Sequence, residues 1–103
     1  MSIIFHIMKE EYERLLEAER VYRAGIQKEV SGSPRIKSIG NRRYVYLERR
    51  EGKKVVYQYI APEGTAKANA VLESVKRRRK FEESLKRILP DLRDVKKVLH
   101  GKV

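Results

Sequence analysis

The apolar residues between positions 8 and 30 recur at the three- and four-residue spacing of an amphipathic helix. They are Met8, Tyr12, Leu15, Leu16, Tyr22 and Ile26. Glutamates stand between them, and residues 31–34 are Ser, Gly, Ser and Pro, which are typical of a helix end. The pattern therefore predicts a helix over residues 8–30. The apolar run from Ile3 to Ile7 is too short to span a bilayer, and it suits a tail, a short strand or an extension of the helix.

Between residues 33 and 60 the period changes from helical to alternating, which predicts three short antiparallel strands. Gly40-Asn41 and Glu51-Gly52 are the turn signals that separate them. With two-residue loops at these positions, we expect the following cross-strand neighbours: Ile36 with Val45, Tyr46 with Tyr57, Tyr44 with Tyr59, and Leu47 with Val56.

The two faces of this predicted sheet differ in chemistry, because side chains alternate across a strand. The first face is aliphatic and suits a helix packed against it; it carries Ile36, Val45, Leu47, Val56 and Ile60. The second face combines cations with phenol rings and can remain in contact with water; it carries Arg35, Lys37, Arg42, Tyr44, Tyr46, Tyr57 and Tyr59.

The chain from residue 65 to residue 100 is predicted to be helical, with Thr65 as the amino-terminal cap. One apolar stripe precedes Lys76 and a second, shifted stripe follows Lys80, so we expect this helix to dock on two surfaces, one in each half. Pro90 is expected to end it, and Asp91 to cap a separate short helix that Gly101 stops.

Together these elements predict one α+β domain over residues 1–103. Its order is a long amino-terminal helix, a three-stranded antiparallel β-meander over residues 33–60, and then one long and one short helix within residues 65–100. The chain of 103 residues is 41% hydrophobic, which allows only a modest core. It has no cysteine, which excludes disulfides and thiol nucleophiles and suits a cytoplasmic protein. The few amides and many charges are typical of a thermophilic source.

The net charge of +11 is distributed unevenly along the chain. Residues 8–30 carry −1, whereas residues 33–60 and residues 61–103 carry +6 each. The middle and the carboxy-terminal third are therefore expected to attract a polyanion, although the same charges also serve solubility.

The cationic face of the predicted sheet is the first candidate site for nucleic acid. Bases stack on aromatic rings, and the ammonium and guanidinium groups of Lys37, Arg35 and Arg42 can neutralise phosphates. A three-stranded sheet can also lie in the groove of a duplex. The alternative is that Tyr44, Tyr46, Tyr57 and Tyr59 are packing residues whose hydroxyl groups reach water.

The basic run is the second candidate site; it consists of Lys76, Arg77, Arg78, Arg79 and Lys80. Five adjacent cations repel one another, so a phosphate backbone that neutralises part of the run would stabilise it. The alternative is a solvated helix surface, whose charge Glu73, Glu82 and Glu83 offset at helical spacing.

The sequence gives little support for catalysis. His6 and His100 lie at opposite ends of the chain, away from metal-ligand spacing, and no glycine pattern is typical of a phosphate-binding loop. We therefore predict no catalytic residue, no metal and no cofactor.

The stretch from Gly32 to Leu47, together with Arg50–Val55 and Tyr59-Ile60, resembles the sheet core of a family of small uncharacterised archaeal and bacterial proteins. Some members are encoded beside genes of nucleotidyltransferase-type toxins, and the resemblance therefore implies an antitoxin or partner role. More weakly, the stretch is similar to the three-stranded arm-binding domain of tyrosine-recombinase integrases, in which the sheet reads DNA. In size and charge the chain also resembles RelE-type messenger-RNA interferases, but their order of helices and their catalytic pattern are not found in it.

These observations predict a cytoplasmic, non-enzymatic protein that binds DNA or RNA through the sheet face and the basic run, with a DNA-binding regulator as one such role. One alternative is an antitoxin-like module that binds a protein partner or forms a homodimer. Another is a ribonuclease that uses Arg, Lys and Tyr for charge stabilisation and proton transfer. No membrane partner is expected.

Overall fold

A computed structural model describes residues 2–100 and has the predicted α+β class. Its elements are α1 (Ile3–Lys28), β1 (Ser33–Ile39), β2 (Arg42–Glu51), β3 (Lys54–Pro62) and α2 (Ala66–His100). Contacts group these elements into two compact units. The sheet unit comprises Lys28–Arg79, and the helical unit comprises the described residues up to Gln27 together with those from Lys80 onward. The expectation that the chain is one domain stays a prediction.

The sheet is the expected meander, in the order β1-β2-β3 with antiparallel pairs. The predicted pairing of Ile36 with Val45 is confirmed. The predicted register of β2 and β3 is wrong. From Tyr46 onward it is shifted by two residues, so that Tyr46 lies opposite Tyr59, Leu47 opposite Gln58 and Glu48 opposite Tyr57. Tyr44, predicted opposite Tyr59, lies opposite Pro62.

The register differs because the second turn is Gly52-Lys53 rather than Glu51-Gly52. Gly52 has a φ of +62°, as does Gly40 in the first turn, and both glycines occupy the first of the two loop positions. Type II′ hairpin turns require such a φ at that position, which suits glycine because it has no Cβ. An irregularity follows between Val45 and Tyr46 of β2, where Val45 lies opposite Ala61 and leaves Ile60 as an extra residue in β3.

The core of the sheet unit lies between one face of the sheet and the first half of α2. Val45 and Leu47 are almost completely buried and belong to one cluster with Ala68 and Val75 of α2. Burial of such aliphatic side chains is the main force that holds a helix on a sheet. Ile36 was expected in this core, but it is 43% exposed, because it lies on the edge strand β1.

Polar contacts fix the segment between α1 and β1 to α2. The Val30 N–H donates to Ser74 Oγ at 2.8 Å, and the Ser74 hydroxyl donates to the Glu29 carboxylate at 2.7 Å. Ser74 is buried, so both of these hydrogen bonds satisfy groups that have little access to water. At the start of α2, Thr65 Oγ1 accepts from the Ala68 N–H at 3.3 Å, which confirms Thr65 as the cap.

The helix α2 is continuous from Ala66 to His100, and the predicted break at Pro90 with a separate short helix is wrong. Proline removes one backbone hydrogen bond and crowds the preceding turn, but a long helix can retain it where packing on either side holds the chain. Both halves of α2 are packed: residues up to Arg79 belong to the sheet unit, and later residues belong to the helical unit. The expectation of two packing surfaces agrees with this division.

In the helical unit, α1 lies against the second half of α2. Phe81 packs on Gly25, so that a Cβ at Gly25 would come within 2.6 Å of the Phe81 ring, and the centroids of the Tyr22 and Phe81 rings are 6.4 Å apart. Near the other end, the rings of Tyr12 and His100 meet edge to face at 5.8 Å. The apolar run that precedes Met8 extends α1, so the helix begins at Ile3 and ends at Lys28 instead of spanning residues 8–30.

Candidate nucleic-acid interface

The sheet face opposite the core carries all seven residues of the first candidate site. Arg35 lies opposite Tyr46, Lys37 opposite Tyr44, and Tyr46 opposite Tyr59, so these side chains share one face. Alternation along β2 and β3 adds the remaining members, which are Arg42 and Tyr57. The three cations are exposed to solvent, and this face is therefore open to a partner.

Three of the four tyrosine rings on this face, those of Tyr44, Tyr46 and Tyr59, form a connected layer. The Tyr59 ring lies 5.3 Å from the Tyr46 ring in an edge-to-face arrangement and 6.1 Å from the Tyr44 ring in a tilted one. Tyr57 and Tyr59 are each 50% exposed, whereas Tyr44 and Tyr46 are less exposed and mostly buried. Edge-to-face packing stabilises the rings against one another. The tyrosines therefore have features of both interpretations: they pack on one another, as packing residues do, and they are still accessible to a ligand.

Lys37 lies above two of these rings. Its Nζ atom is 4.7 Å from the centroid of the Tyr46 ring and 4.9 Å from that of the Tyr57 ring. A cation at this distance is attracted by the negative face of an aromatic ring. The two rings therefore hold the ammonium group over the middle of the sheet, where it covers the ring faces that a base would stack on.

Glu48 is a member of this face that the sequence analysis did not select. Its carboxylate accepts a hydrogen bond from the Tyr57 hydroxyl and forms an ion pair with Arg35 at 3.1 Å. The Tyr57 hydrogen bond, followed by that of Arg35, lowers the pKa of Glu48, and the same bond with Glu48 raises the pKa of Tyr57. The correct turn position would have placed Glu48 opposite Tyr57 from the sequence alone.

Replacing Glu48 by glutamine is expected to lower the pKa of Tyr57 towards the ordinary value of a tyrosine. The carboxylate stabilises the protonated phenol, so its contribution to folding is present below the ordinary pKa and is lost as the pH rises through the raised pKa. The pH dependence for Glu48 runs in the opposite direction. Its contribution to folding is present above the ordinary pKa of a glutamate and is lost as the pH falls through the lowered pKa. Phenolate absorbance during an alkaline titration, with Tyr57→Phe to identify the signal, measures the shift. An unchanged Tyr57 titration in Glu48→Gln would contradict this hydrogen bond.

The end of the sheet near the second turn carries further cations. Arg49 donates a hydrogen bond to the Gln58 side chain, and Arg50, Lys53 and Lys54 are exposed. An open groove of about 430 Å³ is lined here by Ser31, Gly32, Ser33, Glu48, Arg49, Arg50 and Val55. This end of the sheet unit therefore adds positive charge and hydroxyl groups beyond the tyrosine layer.

The basic run in α2 takes part in contacts within the sheet unit. Lys76 lies 3.6 Å from Glu73, and Arg77 forms an ion pair with Glu29 at 3.0 Å. Arg78 donates to the backbone carbonyl of Glu29 at 3.2 Å. Arg79 and Lys80 have exposed side chains. The structure thus places the first three members of the run in intramolecular contacts and does not bring them together with the tyrosines as one described cluster.

Within residues 2–100, no three His, Cys, Asp or Glu side chains are grouped so that they could hold a metal ion. Neither helix of this described part has a stretch that is apolar and long enough to cross a membrane.

The fold and this face define a small basic α+β protein with an exposed Tyr/Arg/Lys sheet surface. A family model described as a domain of unknown function, DUF6788, matches residues 7–70, and the chain belongs to this family. The match covers α1 from residue 7 onward, the whole sheet and the start of α2, in agreement with the resemblance to an uncharacterised family. No curated protein and no solved structure matches the chain. The antitoxin-like role and the ribonuclease alternative stay predictions.

Proposed function

We propose that the protein binds double-stranded nucleic acid through its exposed sheet face, without chemistry of its own. The observation that carries this proposal is the placement of Arg35, Lys37 and Arg42 on one solvent-accessible face, among four tyrosines, while the opposite face packs on α2. A sheet fixed on a helix in this way is a rigid support for cationic side chains, and rigid support lowers the entropy lost on binding.

The ring geometry favours contacts to phosphates over stacking with unpaired bases. Lys37 lies over the rings of Tyr46 and Tyr57, and Tyr59 packs its ring against two neighbouring tyrosines. A base that stacked on Tyr46 or Tyr57 would first have to displace the ammonium group. The hydroxyl groups and the cations, by contrast, can reach phosphate oxygens from the arrangement already present.

The charge of the face is reduced by one carboxylate. Glu48 pairs with Arg35, so Lys37 and Arg42 are the two of the three candidate cations that no described carboxylate neutralises. Cations at the second turn extend the positive surface, and the chain as a whole carries +11. Affinity would then come mainly from release of counterions, with limited dependence on base sequence.

A titration over a series of salt concentrations tests this function. We expect the purified protein to bind duplex DNA or duplex RNA more tightly than a single strand of equal length. The logarithm of the association constant should fall linearly with the logarithm of salt, with a slope of about −0.9 for each phosphate contacted on duplex DNA. Absence of binding at low salt would overturn the proposal, and so would tighter binding to the single strand, which would indicate base stacking.

A further inference from the structure

The helical unit leaves most of its large apolar side chains in contact with solvent. Within residues 2–100, Leu15 is its one buried hydrophobic side chain. Its exposed apolar residues are Ile3, Ile4, Phe5, Ile7, Leu16, Val21, Leu89 and Val98. Two helices can cover only one stripe of each other, and exposed apolar patches on soluble proteins mark sites of association. A partner surface is therefore expected here.

Part of this surface forms an apolar groove. Phe5, Tyr12 and Leu16 recur at spacings of seven and four residues, which places them on one side of α1, and Leu99 completes the apolar lining from α2. The groove has a volume of about 370 Å³, and its remaining lining residues are Lys9, Glu13 and His100. A groove of this kind can bind the apolar side chains of another helix.

The charges of this unit indicate which partner fits. Residues 8–19 of α1 contain five glutamates against Lys9 and Arg14, a net charge of −3. Residues 86–100 of α2 contain five lysines and arginines against two aspartates, a net charge of +3. In the part of the chain that the structure describes, no ion pair joins the two stretches, since the glutamates that pair do so with arginines of α1 itself.

A surface that carries an acidic helix and an equally basic one is complementary to itself. In a two-fold symmetric pair, the same patch on each copy meets its counterpart, so the acidic stretch of one copy can face the basic stretch of the other at two equivalent places. We propose that the helical unit is the interface of a homodimer, in which α1 of each copy packs against the second half of α2 of its partner. Burial of the groove and its exposed aliphatic neighbours supplies the attraction, and the opposite charges set the orientation.

Sedimentation equilibrium of the full chain over a range of concentrations tests this proposal. We expect the mass to reach twice the 12.1 kDa of one chain. Leu16→Glu should weaken self-association at least about tenfold, because it places a carboxylate in the apolar groove. Val55→Glu is the matched control, since Val55 is similarly exposed but belongs to the sheet unit, and it should leave self-association unchanged. Circular dichroism verifies that both variants keep their helices.

Charge reversal gives a second and independent test. Glu10→Lys with Glu13→Lys makes both stretches basic, and Lys96→Glu with Lys97→Glu makes both acidic, so each variant alone should remain monomeric. An equimolar mixture of the two should form a heterodimer, because both pairs of facing stretches again have opposite charges. Repulsion between α1 and α2 within each variant chain cannot explain a heterodimer that forms only in the mixture. A parent chain that stays monomeric at every concentration would overturn the proposal, as would a mixture that fails to associate. Nucleic-acid binding is measured separately and does not depend on either outcome.

Discussion

Alanine at both Lys37 and Arg42 is expected to weaken binding to duplex DNA roughly 60-fold at 0.1 M salt, if each side chain contacts one phosphate. The slope of the salt dependence should become less steep by about 1.8, which corresponds to the loss of two released counterions. Lys37 is held over the tyrosine rings, and Arg42 is exposed at the start of β2, so neither side chain supports the core. The same salt series on the parent and the variant measures both quantities.

The matched control removes two positive charges from helices instead of from the sheet face. Lys28 ends α1 and Lys67 lies in the first turn of α2, and both are exposed. Alanine at these two positions changes the net charge by the same amount and should leave most of the salt slope intact. Equal loss of slope in the two double variants would show that the protein attracts nucleic acid by overall charge and not by its sheet face.

Leu47→Ala is expected to lower the free energy of unfolding by about 2–5 kcal/mol, which is the usual range for a buried leucine. Leu47 is 2% exposed and belongs to the cluster that joins β2 to α2, so the smaller side chain leaves a cavity. Chemical denaturation followed by circular dichroism measures the loss. Since this cluster fixes the sheet on the helix, the variant should also bind nucleic acid less tightly at temperatures where it is partly unfolded.

Val55→Ala is the comparison for this stability measurement. Val55 lies in β3 and is 49% exposed, so its replacement removes a β-branched residue from a strand without opening a cavity. The expected loss is below about 1 kcal/mol, the span of strand preferences measured in a host protein. Equal losses in the two variants would contradict the assignment of the core to the face that carries Leu47.

Membership of the two sheet faces could be predicted from the sequence because it depends only on parity along each strand. The misplaced second turn shifted the pairing of β2 and β3 by two residues between Tyr46 and Glu51, and a shift of two keeps the side chains of that stretch on their faces. The tyrosines therefore stayed together. The shift changed the cross-strand neighbour of each tyrosine, so the sequence did not predict the contact of Tyr57 with Glu48. The sequence signal for the correct second turn was glycine at the first loop position, as in Gly40-Asn41.

Other features depend on contacts between distant parts of the chain, and these are not encoded in local patterns. The hydrogen bonds that join Glu29 and Val30 to Ser74 span more than forty residues, and they draw Arg77 into an ion pair that the charge run alone does not predict. The continuation of α2 through Pro90 likewise goes against local preference. Ile36 is an example in which the local pattern misleads. The alternation in β1 predicts a core residue, but Ile36 lies on an edge strand and is exposed.

Within the described residues the meander leaves two open edges, because β1 and β3 each pair with β2 alone. Both outer strands contain a proline, Pro34 in β1 and Pro62 in β3, which has no N–H to offer to an incoming strand. Arg35 and Lys37 add like charges along β1, and Lys54 does so at the start of β3. Prolines and cations at sheet edges oppose growth of fibrils by strand addition. The sheet should therefore resist polymerisation even when the protein is concentrated on a polyanion.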